Sequence, residues 1–124
     1  MNKVTLIGNL TSDPVIRSTA NGTSVSTFTL AVGRKYKDAD GNKQTDFISC
    51  IAWKQTADLV CKYLKKGSKA AVNGTLQTRT WTDQEGTKHY VTEVLVDDVE
   101  FLSPKSQTSN DYFSTEHFNE YLDE

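Results

Sequence analysis

The chain has 124 residues and a formal net charge of −2, with 36% hydrophobic and 24% charged residues. That length holds one domain with a core of its own and is too short for two. No apolar run approaches the roughly 20 residues that span a bilayer, and the opening MNKVTLIGN has neither the length nor the small-residue cleavage site of a secretory signal, so a cytoplasmic protein without membrane contact is expected.

The charge is unevenly spread. All 14 Lys and Arg lie in residues 1–105 beside 11 Asp and Glu, a surplus of three positive charges, whereas residues 106–124 hold five acids and no Lys or Arg. A mildly basic body, residues 1–105, therefore carries an acidic tail, residues 106–124.

Lys3 to Leu10 reads as a strand with Val4, Leu6 and Leu10 on one side and Thr5, Ile7 and Asn9 on the other; Gly8 marks a bulge or a close backbone approach. Ser12-Asp13-Pro14 breaks it. Val15 to Ser18 is a short extended piece ahead of the turn Asn21-Gly22. A long strand follows from Ser24 to about Tyr36, with Phe28, Leu30 and Val32 on its apolar side and Thr27, Thr29 and Ala31 on the other. It ends in Arg34-Lys35-Tyr36-Lys37, three cations around one ring. Asp40-Gly41-Asn42 is a polar hairpin tip. From Phe47 to Trp53, alternation turns Ile48, Cys50 and Ala52 toward a core and leaves Phe47, Ser49, Ile51 and Trp53 on the other face.

The period then changes. Ala57, Val60, Cys61 and Leu64 follow helical spacing, which predicts an amphipathic helix whose last turn carries Lys65 and Lys66 and which Gly67 ends in a left-handed conformation. From Ala70 to Trp81 the chain alternates again, with Val72 and Leu76 inward and Thr75, Gln77, Arg79 and Trp81 outward. A second polar hairpin, Thr82 to Lys88, has Gly86 at its tip and leads to a last strand, His89 to Val96, continued by Val99 to Leu102. This is an all-β pattern of five or six strands, with one helix between the third and fourth long ones.

The sequence carries no phosphate loop, dinucleotide fingerprint, zinc-protease motif or nucleophile elbow. Cys50 and Cys61 are eleven residues apart, outside any CxxC and far from both histidines, and read as reduced, buried thiols. Asp97, Asp98 and Glu100 read as solvated edge charges. No catalytic residue, metal or cofactor is therefore expected. The positive signal is aromatic rings interleaved with cations on strands: Tyr36 with Arg34, Lys35 and Lys37, Phe47 with Lys43, Trp53 with Lys54, and Trp81 with Arg79. Lys88, closing the second hairpin, completes the set. A single-stranded nucleic acid offers a flat ring from each base and a charge from each phosphate, and a stacking ring contributes ~1–3 kcal/mol per base. Tyr90 is assigned to packing.

In order along the chain, NKVTLIGNLTSDPVIR, the NGT turn, TFTLAV, TDFISCIAWK, YLKKGSKAAVNGTLQTRTWTD and YVTEVLVDDVEFL resemble the bacterial single-stranded DNA-binding protein family, in the version of Gram-positive bacteria and their phages. The resemblance covers residues 2 to about 104. It implies a five-stranded OB-fold Greek-key barrel with the helix between barrel strands three and four, and no enzymatic activity. It also implies non-sequence-specific binding of single-stranded DNA in replication, recombination and repair, by a homotetramer, with a dimer as the alternative. The family's stacking roles carry over onto Tyr36, Phe47, Trp53 and Trp81, and its basic contacts onto Arg79, Lys66 and the cations around Tyr36. Tyr36 and Phe47 stand where the best-known relatives have tryptophan.

The end of the chain departs from that family. After a short polar linker comes DYFSTEHFNEYLDE, expected to be flexible; it keeps acidic and aromatic character in Phe118, Tyr121, Leu122, Asp123 and Glu124 but lacks the terminal apolar residue that partner proteins capture. Two roles are open to it: docking replication and recombination proteins, or folding back over the basic groove. For the whole chain the rival reading is an OB-type interaction module whose aromatic face binds protein.

Overall fold

Strand alternation and one stretch of helical period build six strands and a helix. The computed structural model describes residues 1–102, so the readings of the linker and acidic tail lie outside the described residues. In chain order the elements are β1 (Val4–Leu10), β2 (Val15–Ser18), β3 (Ser24–Lys37), β4 (Lys43–Trp53), α1 (Lys54–Tyr63), β5 (Lys69–Thr82) and β6 (Lys88–Phe101).

The strands form one sheet in the order β1-β5-β6-β4-β3-β2, and β1 also pairs with β3. That second pairing, Asn9 with Ala31 and Leu10 with Leu30, closes β1, β5, β6, β4 and β3 into a five-stranded barrel, and β2 remains as a short exposed ribbon on β3. Every neighbouring pair is antiparallel except β4 with β6, where Cys50 faces Val94 and Ile51 faces Leu95 in parallel. Those two strands run the same way because α1 and β5 carry the chain back between them. This is the expected OB-fold, with the helix between the third and fourth barrel strands.

The core holds the residues that alternation turns inward: Leu10, Phe28, Leu30, Cys50, Ala52, Val72, Val94 and Val96, with Ala57, Val60 and Leu64 of α1 packed into the same cluster. Burying a side chain the size of Leu30 or Val60 contributes ~1.5–3 kcal/mol. Cys50 lies inside this cluster, and burial pushes its thiol up to about 12. Cys61 is half-buried, with its Sγ 3.2 Å from the Oγ of buried Ser26, and both cysteines are free.

Two glycines sit at the seams. A Cβ on Gly8 would run into the carbonyl oxygen of Ala31 on β3, and one on Gly74 into that of Leu95 on β6. Gly74 lies where the β5–β6 register shifts, Asn73 facing Asp98 and Gly74 facing Val96, so that Asp97 is an extra residue. The break expected between Val96 and Val99 is this bulge, and β6 continues through it as one strand.

Several expectations need correction. Helix α1 stops at Tyr63 and has Lys62 in its last turn; Lys65 and Lys66 lie past its end, where Leu64 is already extended. Gly67 is left-handed, φ 89°, but within the following loop, whose Ser68 N–H returns to the Lys65 carbonyl at 2.9 Å. That loop is fastened to β1 by Gly67 N–H to the Leu10 carbonyl and Leu10 N–H to the Ser68 carbonyl, both 2.9 Å. At its other end α1 follows β4 with no connecting residue, and Lys54 makes the corner with φ 56°, a left-handed conformation that costs a non-glycine residue ~1–2 kcal/mol. Leu76 and Tyr90 are exposed rather than packed: Tyr90 stands opposite Thr80 near the tip of the β5–β6 hairpin, and Leu76 lies in mid-strand opposite buried Val94, past the last β1 residue paired with β5.

The seams set a measurable limit on side-chain size. Gly74→Ala is expected to lower the urea midpoint by an amount equivalent to ~1–3 kcal/mol, the usual cost of overpacking. Gly33→Ala, where a Cβ meets nothing within 4 Å, should leave the midpoint unchanged or slightly higher; equal midpoints for the two variants would show that Gly74 does not limit closure.

Candidate nucleic-acid interface

Closing the barrel turns every other residue of its strands outward. On β4 these are Phe47, Ser49, Ile51 and Trp53. Ile51 faces Thr27 of β3 on one side and Leu95 of β6 on the other, and Leu95 faces Thr75 of β5, so one continuous outer surface crosses four strands. Along β5 the same side carries Gln77, Arg79 and Trp81, and along β6 it carries Glu93, Val91 and His89. Phe47, Trp53 and Trp81 thus share one side of the sheet. Of the four rings read from the sequence, Tyr36 is 78% exposed, Phe47 67%, Trp81 47% and Trp53 39%, which leaves each with an open surface.

The long strands outrun the barrel as two ribbons, β3 with β4 and β5 with β6, and both turn on the same device. In the first, Asp38 Oδ1 accepts the N–H groups of Asp40 and Asn42 at 2.9 and 2.8 Å, and its Oδ2 accepts the Gln44 side-chain amide at 2.9 Å. In the second, Asp83 Oδ1 accepts the N–H groups of Glu85 and Thr87, both 2.9 Å, and its Oδ2 lies 2.8 Å from His89 Nε2. Gly41 (φ 83°) and Gly86 (φ 84°) supply the left-handed residue in each tip. The sequences DADGNKQ and DQEGTKH are therefore two copies of one turn, with an aromatic ring two residues before the aspartate in each: Tyr36 and Trp81.

The cations are placed unequally. Lys37 and Lys43 face each other directly across the first ribbon, a like-charge pair that folding alone disfavours. Lys35 is exposed beside them. Arg34 is engaged: its Nε and Nη2 donate to the two oxygens of Asp46, both at 2.9 Å, and that pairing raises the guanidinium and holds the Asp46 carboxyl below the usual range. The register shift between Gly33 and Lys37 inserts extra residues into β3, so the side taken by Tyr36 is set by that irregularity and not by parity with Phe28 and Leu30.

On the second ribbon Arg79 Nε donates to Glu93 Oε2 at 3.2 Å, and Gln77 Nε2 donates to the same oxygen at 3.0 Å. Glu93 is buried while Arg79 is half-exposed, so the acid anchors the guanidinium from below. Lys88 faces Thr82 near the tip, and Lys54 stands at the corner after Trp53. Lys66 is elsewhere: it lies in the loop after α1, its N–H on Asp13 Oδ1 at 2.8 Å, and belongs to neither ribbon.

Sequence reading did not find His89 or Glu93 as members of this face. The imidazole of His89 stacks on Trp81, with ring centroids 4.4 Å apart and planes 19° from parallel. Counting back from the hairpin tip would have placed His89 opposite Trp81. Among the described residues, no group of three or more His, Cys, Asp and Glu is arranged to hold a metal ion, and no helix is long and apolar enough to cross a membrane.

Residues 1–102 match the model of the Single-strand binding protein family. Curated relatives include the Single-stranded DNA-binding protein of Caldanaerobacter subterraneus subsp. tengcongensis, 53% identical over 106 residues that cover 86% of this chain and 71% of that protein. The Single-stranded DNA-binding protein of Bacillus cereus is 51% identical over 106 residues, 86% of this chain and 62% of its own length. Single-stranded DNA-binding protein 2 of Listeria monocytogenes is 46% identical over 117 residues, 90% of this chain and 73% of its own. In the Bacillus cereus relative the chain therefore spans less than two thirds of the full length.

The hydrogen bond from His89, with the Thr87 N–H next in weight, holds the Asp83 carboxyl below the usual carboxylate range, against an opposing effect of burial. In an NMR titration Asp83 is expected to titrate below an ordinary aspartate and to move up in His89→Ala. An unmoved Asp83 would mean that the ring does not hold the carboxylate in solution.

Proposed function

The chain belongs to the single-strand binding protein family, and from that premise we propose that the outer face running from Phe47 and Trp53 to Trp81 is where it binds single-stranded DNA. The observation that carries this is the exposure of four aromatic rings on or beside a barrel face whose neighbouring lysines face each other unneutralised. Bases stack on Tyr36, Phe47, Trp53 and Trp81. Phosphates are met by Lys35, Lys37, Lys43, Lys54, Arg79 and Lys88, with Arg34 available when Asp46 releases it and Lys66 extending the path around the barrel.

Neither interaction reads sequence, since every base has a flat face and every nucleotide a phosphate. The role is coating and protecting single-stranded DNA during replication, recombination and repair, by binding alone and without chemistry, in the cytoplasm. A homotetramer, with a dimer as the alternative, is supported by apolar side chains exposed away from the ribbons, among them Ile7, Val15, Ile16 and Leu102. Residues 106–124 form a separate acidic tail. It either recruits replication and recombination proteins through Phe118, Tyr121, Leu122, Asp123 and Glu124 or covers the basic face when DNA is absent.

Intrinsic tryptophan fluorescence titrated with oligo-dT tests the face. Strong quenching is expected, weakened by salt as counterions compete and absent with a duplex of equal length. Trp53→Ala and Trp81→Ala should each cost ~1–3 kcal/mol of binding, and intact DNA binding by both variants would instead favour a protein-binding module. For the tail, deleting residues 106–124 should raise affinity for short oligonucleotides at low salt if it covers the face. Unchanged affinity would remove the covering role and leave recruitment.

A further inference from the structure

The two ribbon turns are alike in every hydrogen bond to the aspartate and differ in the residue six positions after it. In the first ribbon that residue is Gln44, which has no charge to gain. In the second it is His89, which also lies flat against Trp81. Asp83 is itself fixed by two backbone N–H groups through Oδ1, so the chain of contacts runs from the turn backbone to the carboxylate, from Oδ2 to the imidazole, and from the imidazole to the indole. Trp81 retains 47% exposure although His89 lies flat against one of its faces.

We propose that His89 is a positioning residue of the DNA-binding face, backing Trp81 so that a base stacks on the far side, and that its protonation tightens the grip on single-stranded DNA. This rests on the single-stranded DNA reading of the face. A ring fixed before the ligand arrives spares the ordering cost of a mobile side chain on binding. Protonation places a cation flat on the indole and turns Nδ1 from an acceptor into a donor, a group that a phosphate oxygen or a base carbonyl accepts. Bound DNA, being a polyanion, favours the imidazolium over the neutral ring, so binding takes up a proton and affinity rises as pH falls.

The charged groups around the ring are Asp83 and Glu85 in the hairpin, Lys88 beside it on β6, and Arg79 two residues along β5 from Trp81, itself held by Glu93.

Affinity for oligo-dT is measured at fixed salt at about pH 5.5 and about pH 8, either side of the range in which histidine changes charge; thymine has no group that titrates there. The wild-type chain is expected to bind about two- to fivefold more tightly at the lower pH, the upper part of the worth of one exposed charge pair converted at tenfold per ~1.4 kcal/mol. His89→Gln, which copies the first ribbon, should bind more weakly and lose that pH dependence. His89→Phe should keep high-pH affinity, because it still backs the indole, and also lose the pH dependence. The other histidine is His117; a pH dependence arising there survives in His89→Gln and overturns the proposal, as does equal wild-type affinity at both pH values. No binding of oligo-dT by the wild-type chain at either pH would instead overturn the reading of the face on which the proposal rests.

Discussion

Five strands close into a barrel only where backbones approach more closely than a side chain allows, and here two glycines permit it. Gly8 lets β1 lie against β3, and Gly74 lets β5 lie against β6 beside the Asp97 bulge. Once the seams are shut the register is no longer free, and register decides which residues face water. A slip of one residue on β4 would bring Ser49 and Ile51 inward in place of Cys50 and Ala52, and Phe47 and Trp53 with them. The outward set of aromatic rings is thus a consequence of how the barrel closes, and the inward set of small residues is what lets α1 pack Ala57 and Val60 against it.

Several features of the outer face make no sense as devices for stability. Exposed aromatic area is left uncovered, two lysines face each other at Lys37 and Lys43, and a glutamate is buried at Glu93. Each costs the isolated fold something. The glutamate is compensated by two donors, Gln77 and Arg79, and the arginine is thereby held with the rest of its guanidinium toward solvent. The lysines have no such compensation within the ribbon. On the proposed reading, a polyanion bearing flat rings would satisfy them and cover the aromatic area in one step. The net charge of −2 conceals this, because the acids that outweigh the basic body are concentrated in residues 106–124.

What the sequence made legible followed from periodicity. Wherever a strand borders the core, alternation told inside from outside, as for Phe28 and Leu30 on β3 or Cys50 and Ala52 on β4. It failed for Tyr90, where a strand keeps alternating after the core has ended, and for Leu76, which is half-exposed beside the core residue Val94 because β1 pairs with β5 only as far as Gly74. The helix was placed correctly by its apolar stripe but extended too far, because Leu64 serves the core equally well from an extended residue after the last turn. Arg34 was read only as a cation beside Tyr36, because its partner Asp46 is twelve residues away and meets it only once β3 and β4 pair. His89 was overlooked for a similar reason: its partner in the stack lies across the hairpin.

The two ribbons depend on their own tips, because a ribbon outside a barrel has no core to order it. An isolated two-stranded hairpin is marginal in water, and these would be loose if their tips did not hold themselves. The repeated turn supplies that hold: one aspartate gathers two backbone N–H groups and a side chain from the returning strand, and one glycine takes the left-handed corner. Ordering is therefore settled during folding and, on the proposed reading, would not have to be met again when DNA binds. The same requirement explains why the rings Tyr36 and Trp81 sit two residues before the aspartates and not at the tips. Close to the turn but still within the paired ribbon, a ring is carried well clear of the barrel while its backbone remains fixed by the ladder on the other side.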